Sequence, residues 1–283
     1  MVDLSVIVTT IGRPEDVARL AASLANAAGG IDLEFIVIDQ SPDQCCIRAL
    51  AAEQLPFPYR STTSDRGASL GRNTGARLAA GEFLTFPDDG CTYPPDSLRK
   101  AIDKLAGRPD LAGFSGIQRT PNGAPSMLRW PAQGCLITKR NHYRTAIEST
   151  VFIRRTAFET LGGFDVELGT GSQGPYQSGE ISDLLLHGLE AGMSFDYDPS
   201  VVVFQPDSRD EATDAFVGKM RGYGRGFGRV FGQHAVGVDL FASLLARKLA
   251  GSLWRSVRGQ RVLARSDRAF VSGAVQGYRS WPR

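Results

Sequence analysis

Three apolar runs in the first ninety residues constrain the fold more than any other feature: LSVIVTT (4–10), LEFIVID (33–39) and EFLTF (82–86). The first two are nearly continuous in Val, Ile, Leu and Phe, as expected of strands buried on both faces. Helical segments separate the runs. Pro14 opens PEDVARLAASLANAA, which stops at Gly29-Gly30. QSPDQ leads into a helix of Ala, Leu and Glu that ends before Pro56, and a short strand at PYRSTT precedes a glycine-led helix, GASLGRNTGARLAA. Such alternation predicts an α/β fold with a parallel sheet covered on both faces. Further along, PDSLRKAIDKLAG reads as a helix, LAGFSGI and STVFIRR as strands, and GEISDLLLHGLEAG as a short amphipathic helix. MSFDY and SVVVF read as two closing strands.

After Pro206 the composition turns helical, basic and rich in glycine. The net charge of residues 207–283 is +8, against −6 for residues 1–206. This shift predicts a body of residues 1–206 and an extension of residues 207–283 facing an anionic ligand or surface. The N-terminal MVDLSVIVTTIGR lacks a basic segment followed by a signal-type apolar core, so the chain is expected to be cytoplasmic. AVGVDLFASLLARKLAGSLW is broken by Asp239, Arg247 and Lys248, which argues against a membrane span. Cys45, Cys46, Cys91 and Cys135 lack zinc-type spacing and suit reduced thiols. Cys45 and Cys46 are read as packing residues.

In an open α/β sheet, ligands sit beyond the carboxyl ends of the strands. Three strands deliver polar residues there: Thr9 and Thr10, Asp39, and the pair Asp88-Asp89. No G-x-G-x-x-G follows the first strand and no Walker lysine motif is present, which argues against a dinucleotide or ATP-type phosphate loop. The bland alternatives are that Asp88-Asp89-Gly90 only makes a turn, and that Asp39 only caps one.

Taken together, VIVTTIGRPEDVARLAASL, FIVIDQSPD, RGASLGRNTGARLAAGEFLTFPDDG and LGGFDVELGTGSQGPYQSGEISDLLLHGLEAG resemble a family 2 glycosyltransferase of GT-A fold. The resemblance runs from about Leu4 to Pro206, and its specificity lies in the order of the blocks. The tail RGYGRGFGRVFGQH is similar to those of bacterial surface-polysaccharide transferases. The resemblance implies a Rossmann-like mixed sheet with helices on both faces, followed by a basic helical tail. It implies inverting transfer from a nucleotide-diphosphate sugar to a glycan or lipid-linked acceptor. Asp39 would meet the nucleobase, Thr9, Thr10 and Arg13 would line the nucleotide pocket, and Arg72 and Asn73 would lie near the donor. Asp88 and Asp89 would hold the ribose and, through Asp89, a divalent Mg²⁺ or Mn²⁺ on the diphosphate. Glu180 or Asp183, one helix face at the start of a helix, would supply the base.

Three positions depart from the family pattern. Gly90 takes the slot of a third acid, Ile181 that of the usual base, and Gln205 that of a histidine. The first predicts weak or absent dependence on Mg²⁺ or Mn²⁺. Together they keep a second reading open: a degenerate GT-A protein that binds a nucleotide sugar or a partner without transfer. For Glu180 and Asp183 the bland reading is a solvated helix start; Asp165 is a weaker alternative base, and His187 is read as a surface residue.

In the tail, Arg221, Arg225 and Arg229 recur every four residues, as do Tyr223, Phe227 and Phe231. On a helix these form two stripes, and the interleaved glycines make that helix dependent on packing. The readings are a helix packed through its aromatics, docking of the chain to an anionic inner membrane face, or an arginine reaching the diphosphate. Nucleic-acid binding is not expected, because the body is acidic.

Overall fold

A computed structural model describes residues 2–206 and 213–281. The boundary expected after Pro206 abuts residues 207–212, which lie outside the described residues. The chain forms two compact units. The first holds the residues up to Phe164, apart from Gly67–Ser69, and resumes at His187. The second holds Gly67–Ser69, Asp165–Leu186 and the C-terminal helices.

The first unit is built on an eight-stranded mixed sheet of order β3-β2-β1-β4-β7-β5-β8-β6. The strands are β1 (Leu4–Thr10), β2 (Leu33–Asp39), β3 (Tyr59–Thr63), β4 (Phe83–Thr85), β5 (Leu111–Arg119), β6 (Cys135–Leu136), β7 (Val151–Arg154) and β8 (Ser194–Phe204). β1 to β4 pair in parallel, while β7 runs antiparallel to both β4 and β5. β2 is buried throughout and β1 almost so, as their unbroken apolar sequences require. Helices α1 (Pro14–Ala27), α2 (Cys45–Ala51), α3 (Ala68–Leu78), α4 (Ser97–Ala106) and α5 (Arg155–Thr160) follow the strands. Leu20 and Leu24 of α1 join Leu98 and Leu105 of α4 in one core with Val6, Val8 and Phe35.

The expected pair of closing strands is one continuous strand, β8. Pro199 reads as a break, but the chain absorbs it as an irregularity in the pairing with β5, between Ser115 and Ile117. Gly116 stands at that irregularity, where a Cβ would come within 2.4 Å of Val201 O.

Two glycines set the position of α3. A Cβ on Gly75 would lie 2.3 Å from Ile7 Cγ2, and one on Gly71 2.5 Å from Thr9. Backbone thus meets β1 side chains directly, and the Arg72-Asn73 pair is carried to the carboxyl edge of the sheet.

The second unit contains most of α6 (Glu180–Glu190) and three long helices, α7 (Asp214–Gln233), α8 (Val238–Val257) and α9 (Arg261–Ser280). Thr213 caps α7 by accepting a hydrogen bond from Phe216 N. The glycines of α7 have distinct packing roles. Gly224 and Gly228 face α9, where added Cβ atoms would lie 2.1 Å from Phe270 O and 1.9 Å from Ala274 O. Gly222 and Gly226 face the segment at Gln177 and Ser178. From the other side, Gly273 and Gly277 of α9 approach Arg221 O and Arg225 O. Two small-xxx-small faces thus bring the backbones of α7 and α9 together. Phe227 and Phe231 pack with Phe241, Phe270 and Tyr278. The aromatic stripe is therefore a packing face.

Candidate functional site

At the carboxyl edge of the sheet, Thr10 and Asp39 are register partners at the ends of β1 and β2. Asp88 extends the pairing of β4 by a parallel bridge to Thr9. The backbone after β4 does turn, since Cys91 N donates to Asp88 O at 3.0 Å. The turn also presents both aspartates to cations. Arg72 Nη2 donates to Asp88 Oδ1 at 3.1 Å, and Gln205 Nε2 donates to Asp88 Oδ2 at 3.2 Å. Thr10 Oγ1 donates to Asp89 Oδ2 at 2.9 Å, and Arg13 Nη1 donates to Asp89 Oδ1 at 3.2 Å. Two carboxylates and two guanidinium groups thus interlock within one patch.

The accessible members are Arg13, whose side chain is 61% exposed, and Asp88, at 46%. Thr10, Arg72 and Asp89 are buried. Burial pushes the Asp89 carboxyl above its ordinary value, outweighing the Thr10 hydrogen bond and the nearby Arg13 charge.

The remaining sequence candidates have local structural tasks as well. Asp39 is fully buried and accepts from Ser41 N (2.9 Å), Cys46 N (2.9 Å) and Ile47 N (3.1 Å), so it organises the entry to α2. Asn73 clamps the backbone of Phe164, donating to its O at 2.8 Å and accepting from its N at 2.9 Å. Thr9 packs on Gly71, and its Oγ1 meets no hydrogen-bond partner among the described residues. Sequence reasoning did not select Ser41 as a site residue. Its Oγ accepts from Gly12 N at 2.7 Å and from Cys45 Sγ at 3.6 Å, tying the loop after β1 to the turn after β2. Nothing in its sequence context marks it. Gln205 appeared in the sequence only as a departure, and here it touches Asp88.

A divalent cation on Asp88 and Asp89 would have to share their oxygens with donors already in place. All four already accept hydrogen bonds, two of them from arginines. Space is not what excludes a third acid, because a Cβ on Gly90 meets nothing within 4 Å. Elsewhere in the first unit, Asp39, Cys45 and Cys46 place one ligand atom each within 4.8 Å of one another. That set is mostly sulfur, and the Asp39 carboxylate is already committed to α2. No disulfide forms, and burial raises the Cys46 and Cys91 thiols above their ordinary value.

Glu180 and Asp183 belong to the second unit and are both buried, so the bland alternative of a solvated helix start does not hold. Asp183 Oδ1 accepts from Gln233 Nε2 at 2.9 Å and pairs with His234 Nε2 at 2.8 Å. Ile181 is buried as well. His187 is exposed, as its place in the sequence suggested. Asp165 and Glu167 are engaged by Arg229, each at 2.7 Å. Arg229 also lies over the Tyr176 and Trp281 rings.

The mixed eight-stranded sheet and the helices that flank it give the first unit a GT-A fold. The model of the family described as Glycosyl transferase family 2 matches residues 5–162, and the chain belongs to that family. A dolichol-phosphate mannosyltransferase of Pyrococcus furiosus is 27% identical over 138 residues, which cover 48% of this chain and 38% of that protein. The chain thus spans well under half the length of this relative. Among solved structures, the mannosyltransferase PcManGT from Pyrobaculum calidifontis, in complex with GDP-Man and Mn²⁺, superimposes with a TM-score of 0.65 at 16% identity, covering 99% of this chain and 88% of that one. TarS 1–349 of S. aureus, in complex with UDP, gives a TM-score of 0.55 at 15% identity over 98% of this chain and 90% of its own.

Proposed function

We propose that this protein is an inverting glycosyltransferase that moves a sugar from a nucleotide-diphosphate sugar to a hydroxyl of a glycan or lipid-linked acceptor. One observation carries the reading: in a chain of this family, Asp88 and Asp89 interlock with Arg72 and Arg13 at the carboxyl edge of β1 and β4. Guanidinium groups match diphosphate oxygens in geometry and charge, and carboxylates match ribose hydroxyls. Thr9, Thr10, Asp39 and Asn73 shape the walls around them. In the reaction the acceptor oxygen attacks the anomeric carbon as the bond to the diphosphate breaks. The nucleoside diphosphate leaves, and the acceptor proton passes to a carboxylate, for which Glu180 and Asp183 are the proposed bases. Leaving-group charge must be neutralised, and Arg13 and Arg72 supply that charge. Mg²⁺ or Mn²⁺ on Asp89 would add to it, but the reaction is expected to depend on such a cation weakly or not at all.

The test is transfer or hydrolysis from a panel of UDP-, GDP- and dTDP-sugars, with and without EDTA. Turnover that survives EDTA and disappears in Asp88→Ala supports the reading. Turnover abolished by EDTA and restored by Mn²⁺ counts against the arginine account. A second reading, binding of a nucleotide sugar or partner protein without transfer, is favoured by the buried Ile181 at the usual base position. Nucleotide binding without turnover on any donor would select it. We place the protein in the cytoplasm, at the inner face of a membrane whose anionic lipids meet the basic C-terminal unit.

A further inference from the structure

Helix α8 carries an apolar face that nothing in its own unit covers. Of the eleven large apolar side chains that stand exposed among the described residues, five lie on this helix. Leu253, Trp254 and Val257 are 69%, 56% and 88% exposed. At about 100° per residue, Leu249, Leu253, Val257 and Trp254 fall within one arc of about 140°. Ala242, Ala246 and Ala250 fill the same arc. Phe241, Leu245 and Ser252 occupy the other side and are buried.

Arginines border this arc on both flanks. Arg247 and Arg258 follow Trp254 around the helix, and the Arg258 guanidinium lies 3.9 Å over the Trp254 ring. On the opposite flank Arg268 of α9 donates to Ser252 and Ser256, at 3.1 and 3.4 Å. Arg268 also lines, with Arg221 and Arg265, a shallow groove of about 350 Å³. Residues 238–283 contain nine Lys or Arg and two Asp. One of those acids, Asp267, is buried and paired with Lys248 and Arg255. No described helix is long and apolar enough to cross a membrane.

We infer that the outward face of α8 is an interfacial docking surface for an anionic lipid bilayer. The helix lies in the plane of the interface, with Leu253, Trp254 and Val257 among the acyl chains and the flanking arginines on headgroup phosphates. A tryptophan backed by arginine suits that boundary, apolar on one side and wet on the other. The charge argues for lipid over a second copy of the chain, because paired α8 faces would bring their arginine borders together. The inference gives the proposed membrane location its contact surface and rests on that part of the reading alone; it needs no sugar donor.

The experiment is flotation of the full-length chain with phosphatidylcholine vesicles, with and without about 30 mol% phosphatidylglycerol. Wild type is expected to float with the anionic vesicles, to float less as salt rises, and to show a blue-shifted tryptophan emission. Leu253→Glu with Trp254→Glu is expected to weaken partitioning at least about tenfold, and Arg247→Glu with Arg258→Glu to weaken it as well. Circular dichroism and UDP or GDP binding in solution should be unchanged in both variants, which separates this result from any failure of the donor site. Three results would overturn the inference: no binding of wild type to anionic vesicles, variants that float like wild type, or a lipid-free dimer that Leu253→Glu with Trp254→Glu disperses.

Discussion

Gly228→Ala should destabilise the C-terminal helices even though alanine is the better helix former. In an unencumbered helix interior, Gly→Ala gains about 1 kcal/mol. At position 228 the new methyl would sit 1.9 Å from Ala274 O, 2.7 Å from Ala274 C and 2.8 Å from Tyr278 N. These are backbone atoms, so no rotamer change relieves the clash. Comfortable C···O contact begins at about 3.3 Å, so α7 and α9 must separate locally by more than about 1 Å. A gap of that size forfeits a quarter to a half of the dispersion attraction across the contact, and overpacking of this kind costs about 1–3 kcal/mol. The steric term at 228 belongs at the upper end, leaving a net loss of about 2 kcal/mol. Gly218 is the internal control, because it lies in the same helix and a Cβ there meets nothing within 4 Å. Gly218→Ala should stabilise by about 0.5–1 kcal/mol. At about 2–4 °C per kcal/mol, the expected shifts in melting temperature are about −4 to −8 °C and about +1 to +4 °C. Thermal denaturation followed at 222 nm reads both. A Gly228→Ala variant as stable as Gly218→Ala would refute the close α7–α9 packing.

Three further outcomes follow from the site. The folded protein holds the Asp89 proton more tightly than the unfolded chain, whose value is near 3.8. Stability is therefore lost as pH rises through the raised folded value, a loss that Asp89→Asn escapes. Urea titrations at about pH 4 and about pH 6 should show the variant gaining on wild type, and a constant difference would contradict this. Gly90→Asp should fold normally and bind Mn²⁺ more tightly than wild type, read by Mn²⁺ titration of each protein. Unchanged affinity would show that the missing acid is not what limits metal binding. Native labelling with a thiol reagent should reach Cys45 and Cys135, which are half-buried, well before Cys46 and Cys91, which are fully buried; equal rates would contradict the burial.

The parallel half of the sheet was legible because β1 and β2 are buried on both faces, and such strands write unbroken apolar runs. β6, two residues long, writes no pattern at all, and Pro199 disguised β8 as two strands. The glycines of α7 looked like a weakness of the helix. They are contacts, and the distinction exists only once α9 is in place. Around the candidate site, the strand-end positions of Thr10, Asp39, Asp88 and Asp89 followed from the apolar runs before them. What each carboxylate touches did not follow. Gln205 reaches Asp88 across 117 residues of chain, and Asp39 is occupied by backbone amides of α2. Arg229 appeared as part of a cationic stripe, yet it is buried on Asp165 and Glu167.

In the function proposed above, Arg13 and Arg72, interlocked with Asp88 and Asp89, bind a diphosphate without a divalent cation. The decisive experiment is calorimetric titration of wild type and Arg72→Ala with UDP and GDP in the presence of EDTA. Binding of one nucleotide in EDTA is predicted, weakened about 10- to 100-fold in Arg72→Ala, as expected for loss of a hydrogen bond to a charged group worth about 1.5–3 kcal/mol. Binding that appears only when Mn²⁺ is added, or that Arg72→Ala leaves untouched, would contradict it.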